Sequence, residues 1–119
     1  MDPRRALGVA GEDAVAEWYA RAGYAVLDRN WRCREGELDL VVASDGVIVF
    51  CEVKTRRGTA YGAPFEAVTI AKQRRLRTLA LQWLAAHPAR RAPTLRFDVA
   101  SVLQARGAAP AITVIEAAF

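Results

Sequence analysis

Histidine, cysteine and long apolar runs are scarce in this chain of 119 residues. There is one histidine, His87, and there are two cysteines, Cys33 and Cys51. The cysteines lie far apart in apolar or basic surroundings, which fits neither a disulfide framework nor zinc-ligand spacing, and a reducing cytoplasm is the simplest setting. Covalent catalysis by serine needs a basic partner, yet Ser44 and Ser101 have no histidine nearby in sequence. His87 itself precedes Pro88 and reads as a helix C-terminal cap, where it favours the helix dipole. The opening stretch MDPRRALGVAGEDAVAEW carries four acids and lacks the apolar core of a signal peptide. No later run approaches the roughly 18 apolar residues that span a bilayer, so a soluble, non-exported protein is expected.

What is present suits one globular domain over residues 1–119, with its core at about 4–103. Hydrophobic residues make up 53% and charged residues 25%, enough apolar material to bury a core. Lys and Arg number 17 against 13 Asp and Glu, and the net charge of +4 permits a polyanionic partner without requiring one.

The pattern predicts a helix first. Asp2 and Pro3 suit its start, Leu7, Gly11, Val15, Trp18 and Ala22 recur at helical spacing, and Gly23 stops it. Strands are expected at 24–33, 36–44 and 47–55, the last two joined by Asp45-Gly46, a dipeptide favoured in type I′ hairpin turns. A Gly- and Pro-rich segment leads to a helix over 69–87, then strands at 95–103 and 111–115. The order predicts an α/β fold, a mixed sheet flanked by helices.

The hairpin raises a chemical question, because GELDLVVASDGVIVFCEVK is apolar except for Glu37, Asp39, Glu52 and Lys54. If Asp45-Gly46 is a two-residue loop, Asp39 lies opposite Glu52 and Glu37 opposite Lys54 on one face. The reverse face, Leu38/Val53, Leu40/Cys51 and Val42/Val49, is then wholly apolar. Two facing carboxylates repel, and a hard divalent cation such as Mg2+ offsets that repulsion. Lys54, two residues beyond Glu52, projects from the same face and could orient an attacking water or stabilise charge on a phosphate. The alternative is a cross-strand salt-bridge network at a wet sheet end. A one-residue change in loop length would separate the acids onto opposite faces.

An acid in one strand and E-x-K in the next, between a Glu-bearing helix and a second helix, resembles the PD-(D/E)XK nuclease superfamily. Gly11-Glu12, Gly23-Tyr24, GELDL at 36–40, FCEVKTR at 50–56 and RFDV at 96–99 more closely resemble the bacterial YraN family, related to archaeal Holliday-junction resolvases. The resemblance implies a restriction-endonuclease-like α-β-β-β-α-β core and a phosphodiesterase that uses Mg2+ or Mn2+ on DNA, including branched or damaged DNA. It makes Asp39 and Glu52 metal ligands, with Glu12 from the first helix and the Val53 carbonyl beside them, and makes Lys54 the residue that positions water. Leu38 stands where a proline can precede the aspartate, at a position that varies in the superfamily. The two-fold dimers of the junction-cutting relatives leave a homodimer open. Two other readings stay beside the nuclease: a catalytically inactive nucleic-acid-binding module, and an interaction protein on the same fold.

Phosphate contacts are assigned to Arg56 and Arg57, where the catalytic strand ends, and to Lys72 and Gln73 at the start of the second helix. The resemblance allows a second-helix Lys or Gln to enter the site, while the remaining KQRRLR cations can equally form a solvated face. The loop at 58–64 could act as a flap with Tyr61 stacking on a base. Asp98 shares a strand face with Arg96 and is expected to pair with it. Trp18 and Trp83 are expected in the core, and Trp31 is open between strand packing, nucleic-acid contact and a dimer surface.

Overall fold

Asp2 and Pro3 start the first helix by complementary means. In the computed structural model, which describes residues 2–57 and 68–119, the Asp2 carboxylate accepts the Arg4 N–H at 3.0 Å, and Pro3 occupies a first-turn position where an N–H has no helical partner. Helix α1 (Pro3–Arg21) ends just before Gly23, whose φ of 93° turns the chain into the sheet. Strands β1 (Ala25–Cys33), β2 (Gly36–Ser44) and β3 (Val47–Arg57) follow, then helix α2 (Ile70–Ala86) and strands β4 (Thr94–Gln104) and β5 (Ala111–Ile115). The Thr69 hydroxyl caps α2 by accepting the Lys72 N–H at 3.1 Å. His87 is its C-cap, with Nδ1 2.7 Å from the Trp83 carbonyl oxygen.

The strands form one sheet in the order β1-β2-β3-β4-β5, in which β3 and β4 are parallel and the other neighbours antiparallel. A parallel pair needs a crossover, and the chain between β3 and β4 holds α2. The architecture is thus α/β with a mixed five-stranded sheet, and its order contains the expected α-β-β-β-α-β core with β5 added at an edge. No helix among the described residues is long and apolar enough to cross a membrane.

Alternation along the central strands sends side chains to two separate cores. Val15, Ala16 and Tyr19 of α1 pack on Leu40, Val42, Val49, Cys51, Ala100 and Val102. On the other face Leu76, Leu79, Ala80 and Trp83 of α2 pack on Val41, Ile48, Phe50 and Phe97. Gly11 lets α1 come down on β3, since a Cβ there would lie 1.9 Å from Thr55 Oγ1.

Among the described residues Asp98 is the charged residue sunk deepest, with 1% of its surface exposed, and its oxygens are correspondingly well bonded. Arg96 reaches it from Nε at 2.8 Å and from Nη2 at 2.9 Å, Tyr19 donates its hydroxyl at 2.6 Å, and the Ala117 N–H donates at 3.0 Å. This pairing of Arg96 with Asp98 is the structural one anticipated. Burial, reinforced by the charged and polar neighbours Cys51 and Asp98, pushes the Tyr19 hydroxyl pKa upward, so it stays a donor.

Several local expectations are corrected. The Asp45-Gly46 loop has two residues, because Ser44 pairs with Val47, but only Gly46 has positive φ, at 75°. That fits a type II turn and not type I′, which needs positive φ at both positions. Strand β3 runs through Arg56 and Arg57, which pair with Leu103 and Gln104, so these arginines belong to the strand. Trp83 is fully buried, but Trp18 is half-buried at the margin of its core, and fully buried Tyr19 takes the central place. Trp31 is a strand residue packed against the α2-side core.

Two substitutions test this frame. Gly11→Ala gains helix propensity but overpacks the Thr55 contact, and a net loss of roughly 1–3 kcal/mol is expected in urea unfolding, seen as a lower midpoint with an unchanged slope. Asp98→Ala removes the buried carboxylate that holds Arg96, Tyr19 and the Ala117 N–H, and should cost about 3–5 kcal/mol in the same measurement.

Candidate active site

The β2–β3 ladder is regular from Ser44/Val47 to Leu40/Cys51 and stops there. Immediately beyond it the Val53 N–H donates to Asp39 Oδ2 at 2.8 Å, so a side chain satisfies a donor at the point where the ladder ends. Strand β2 also changes face here: Leu40 lies in the α1-side core, whereas Leu38, two residues away, lies in the α2-side core. The reverse face is therefore not the uninterrupted apolar strip expected, because the alternation breaks across Asp39.

A matching irregularity sits in β1. Arg29 pairs with Leu40 and Trp31 with Leu38, which sets Asn30 and Asp39 at one level between them. Asn30 has φ 53°, a left-handed conformation that asparagine tolerates better than most residues. Its side chain lies near Glu12 of α1, with which it lines one cleft, and favours the charged form of that carboxyl. Sequence reasoning passed over Asn30; its signal is an asparagine between charged and aromatic residues in the middle of a strand.

Asp39 and Glu52 lie beyond the last ladder pair and are not the directly opposed register partners expected, but their carboxyls interact. Burial, the Glu52 hydrogen bond and the Glu52 charge together push the Asp39 carboxyl up to about 8, with a smaller push from Glu12 and opposition from the Val53 N–H. Without a cation, one proton thus stays with this pair near neutral pH. Glu12 is also raised, chiefly by burial and then by the charge of Glu37, against the lowering effect of the nearby Asn30 side chain. Glu12 acts on Asp39 through its charge, but among the described residues no three His, Cys, Asp or Glu side chains gather closely enough to form a ready metal cluster.

Lys54 is half-buried on the same face of β3 as Glu52 and has no hydrogen-bond or ion-pair partner among the described residues. Its expected neighbour Glu37 pairs instead with Arg32 at 3.5 Å, on the side of Glu12, because β2 has changed face by that point. The cation that meets Glu52 is Lys72 of α2, with Nζ 3.0 Å from Glu52 Oε2. Gln73 uses its amide to donate to the Val68 carbonyl at 2.9 Å and braces the start of α2. Arg56 is half-buried, while Arg57 is exposed beside Gln104 and Arg106. The 58–64 segment with Tyr61 lies outside the described residues. His87 is occupied at the C-terminal end of α2, stacked on Trp83 with ring centroids 4.2 Å apart.

Asp39 gives a signed pH dependence. Its folded-state pKa is raised above the ordinary carboxylate value, so its contribution to stability is complete below about pH 4 and is lost as pH rises through about 8. Asp39→Asn removes that loss. In metal-free buffer, its stability relative to the parent should grow between these limits, by about 1.4 kcal/mol for each tenfold difference in proton affinity between the folded and unfolded carboxyl, and level off above them. Thermal unfolding at stepped pH measures this, and two parallel curves would contradict the assignment.

Comparison with known proteins places this geometry in a family. Residues 11–102 match the model of the uncharacterised protein family UPF0102, a span that includes Glu12, Asp39, Glu52 and Lys54. A UPF0102 protein of Clavibacter michiganensis is 50% identical over 118 residues, covering 99% of both chains. One of Rhodococcus opacus is 48% identical over 114 residues, covering 96% of each, and one of Frankia casuarinae is 56% identical over 99 residues, covering 83% of each. The chain belongs to the uncharacterised protein family UPF0102, which is the YraN family its motifs resemble.

Proposed function

We propose that this protein is a metal-dependent nuclease that hydrolyses phosphodiester bonds in DNA, with branched or damaged DNA as the substrate class. The observation that carries the reading is the contact between the Asp39 and Glu52 carboxyls where the ladder opens, beside a lysine without a partner among the described residues. Two adjacent carboxyls that retain a proton in the absence of a cation have the donor chemistry for Mg2+ or Mn2+. Asp39 and Glu52 would hold the ion, with the Val53 carbonyl and Glu12 next to them. Such an ion supplies Lewis acidity toward a phosphoryl oxygen and makes water a stronger acid.

The chain's own groups do the rest. The Lys54 ammonium, half-buried and unpaired among the described residues, orients the attacking water and stabilises charge that develops on the phosphate. Asp39 is held in place by the Val53 N–H, which donates to its Oδ2 while the carboxyl interacts with Glu52. Lys72 balances Glu52 at rest and can exchange it for a substrate phosphate, and Arg56 and Arg57 contact the backbone further along. The free thiols of Cys33 and Cys51 suit a cytoplasmic setting, and a two-fold dimer would provide paired incisions.

One observation favours a second reading, a DNA-binding module without catalysis. The Lys72–Glu52 ion pair already neutralises one of the two acids. The readings separate when purified protein is incubated with linear, flapped and four-way DNA in Mg2+ or Mn2+, alongside Asp39→Asn, Glu52→Gln and Lys54→Ala. Cleavage that falls on the order of 100-fold or more in each variant is the nuclease outcome. Mn2+ should also raise the melting temperature of the parent protein but not of Asp39→Asn, because only the parent has the carboxyl pair. DNA binding with no cleavage in either metal would make the protein a binding module.

A further inference from the structure

Next to Glu12, on the α1 side of the sheet, is a cleft of about 430 Å3 lined by Arg5, Gly8, Val9, Glu12, Asn30, Arg32 and Glu37. We propose that this cleft seats one nucleotide flanking the scissile phosphate, its phosphate on Arg5 and Arg32 and its base on the polar floor; this rests on the nuclease reading for the identity of the strand. The volume lies at the small end of the ~300–1,000 Å3 range for ligand sites, enough for a single nucleotide but not for a duplex.

Charge orients the occupant. Arg5 is exposed and has no hydrogen-bond or ion-pair partner among the described residues, and the Arg32 side chain is 76% exposed despite its ion pair with Glu37 at 3.5 Å. Both guanidinium groups are open to a phosphate, which they can grip through paired N–H donors. Glu12 and Glu37 are the less exposed members of the lining, and their carboxylates disfavour a phosphate there while accepting N–H groups from a base edge. Asn30 offers both a donor and an acceptor.

Two α1 residues fit a planar base. Val9 is 39% exposed, a large apolar side chain outside both cores. Gly8 has nothing within 4 Å of where a Cβ would stand, so its side of the cleft is open. Glu12 relates the cleft to the acidic centre, since it lines the cleft and its charge acts on the Asp39 carboxyl. Among the described residues no set of three metal-binding side chains competes for the position.

The test is binding, so that it stays separate from cleavage. Anisotropy of a labelled flapped DNA is titrated in EDTA at several salt concentrations. The Arg5→Ala/Arg32→Ala variant should bind about tenfold or more weakly at low salt, with the slope of log K against log salt reduced by about 2. The charge-matched Arg90→Ala/Arg91→Ala variant, near the hairpin turn where Thr94 bonds Gly46, should keep the parent slope. Gly8→Leu fills the cleft without changing charge and should weaken binding at an unchanged slope. Loss of affinity in the first and third variants supports the seat even if no metal supports cutting, an outcome that removes only the nuclease reading. Parent-like affinity and slope in Arg5→Ala/Arg32→Ala, or no DNA binding by the parent, overturns the seat, whether or not the parent cuts DNA.

Discussion

The bond from the Val53 N–H to the Asp39 carboxylate governs how the open end of the sheet is built. A sheet cannot simply stop beside a buried donor, because an orphaned backbone N–H costs about as much as a lost hydrogen bond. Here an aspartate takes that donor, so β2 can leave β3 after Leu40/Cys51 without an unsatisfied amide at Val53. The separation lets Leu38 turn toward α2 and Glu37 turn toward α1, and it leaves the interacting Asp39 and Glu52 carboxyls beyond the last ladder pair. The carboxylate that organises the backbone is the same one proposed to hold a metal, so structural and chemical demands meet on one side chain.

The acid pair needs a rigid frame, and the two helices supply it differently. Gly11 brings α1 against Thr55, one residue from Lys54, and thereby delivers Glu12 to the open end of the sheet. Farther along α1, Tyr19 reaches through the core to Asp98, which also binds Arg96 and the Ala117 amide, tying α1, β4 and the chain after β5 to one buried carboxylate. On the opposite face α2 is fixed by apolar packing and by the Trp83 Nε1–H bond to Asp28 at 2.8 Å. Lys72 is thus carried to Glu52 from an anchored helix. A shift of either helix would move a charge relative to the acid pair.

The sequence made the meeting of Asp39 and Glu52 legible because it depends on only two quantities, the period of a strand and the length of one loop. The loop length held even though the turn type differed, since register depends on how many residues are unpaired and not on their φ values. What could not be read was the break in alternation. Period-two reasoning assumes an uninterrupted pleat, so it put Leu38 opposite Val53 and Glu37 opposite Lys54, and it gave no role to Asn30. Lys72 was placed correctly at the start of α2, but its contact with Glu52 depends on how the helix crosses the sheet, which no local pattern encodes. Tyr19 was missed for a related reason: a tyrosine beside a tryptophan on a helix does not reveal which ring will find a buried acid.

The charge balance around the site explains why an acid pair survives inside a cationic chain. Lys and Arg outnumber Asp and Glu by 17 to 13, yet several arginines are committed elsewhere. Arg29 pairs with Asp13 and Arg96 with Asp98, while the Arg77 guanidinium lies 4.9 Å from the centre of the Phe97 ring. Rigid arginine forks so engaged are held away from the carboxyls, and Glu52 is met by a lysine, a compact charge on a flexible stem. The Lys72 side chain is 39% exposed, so solvent screening keeps its hold on Glu52 weak. A divalent ion carries twice that charge and can engage both acids together, so the geometry at rest yields more readily to such an ion than an arginine bridge would.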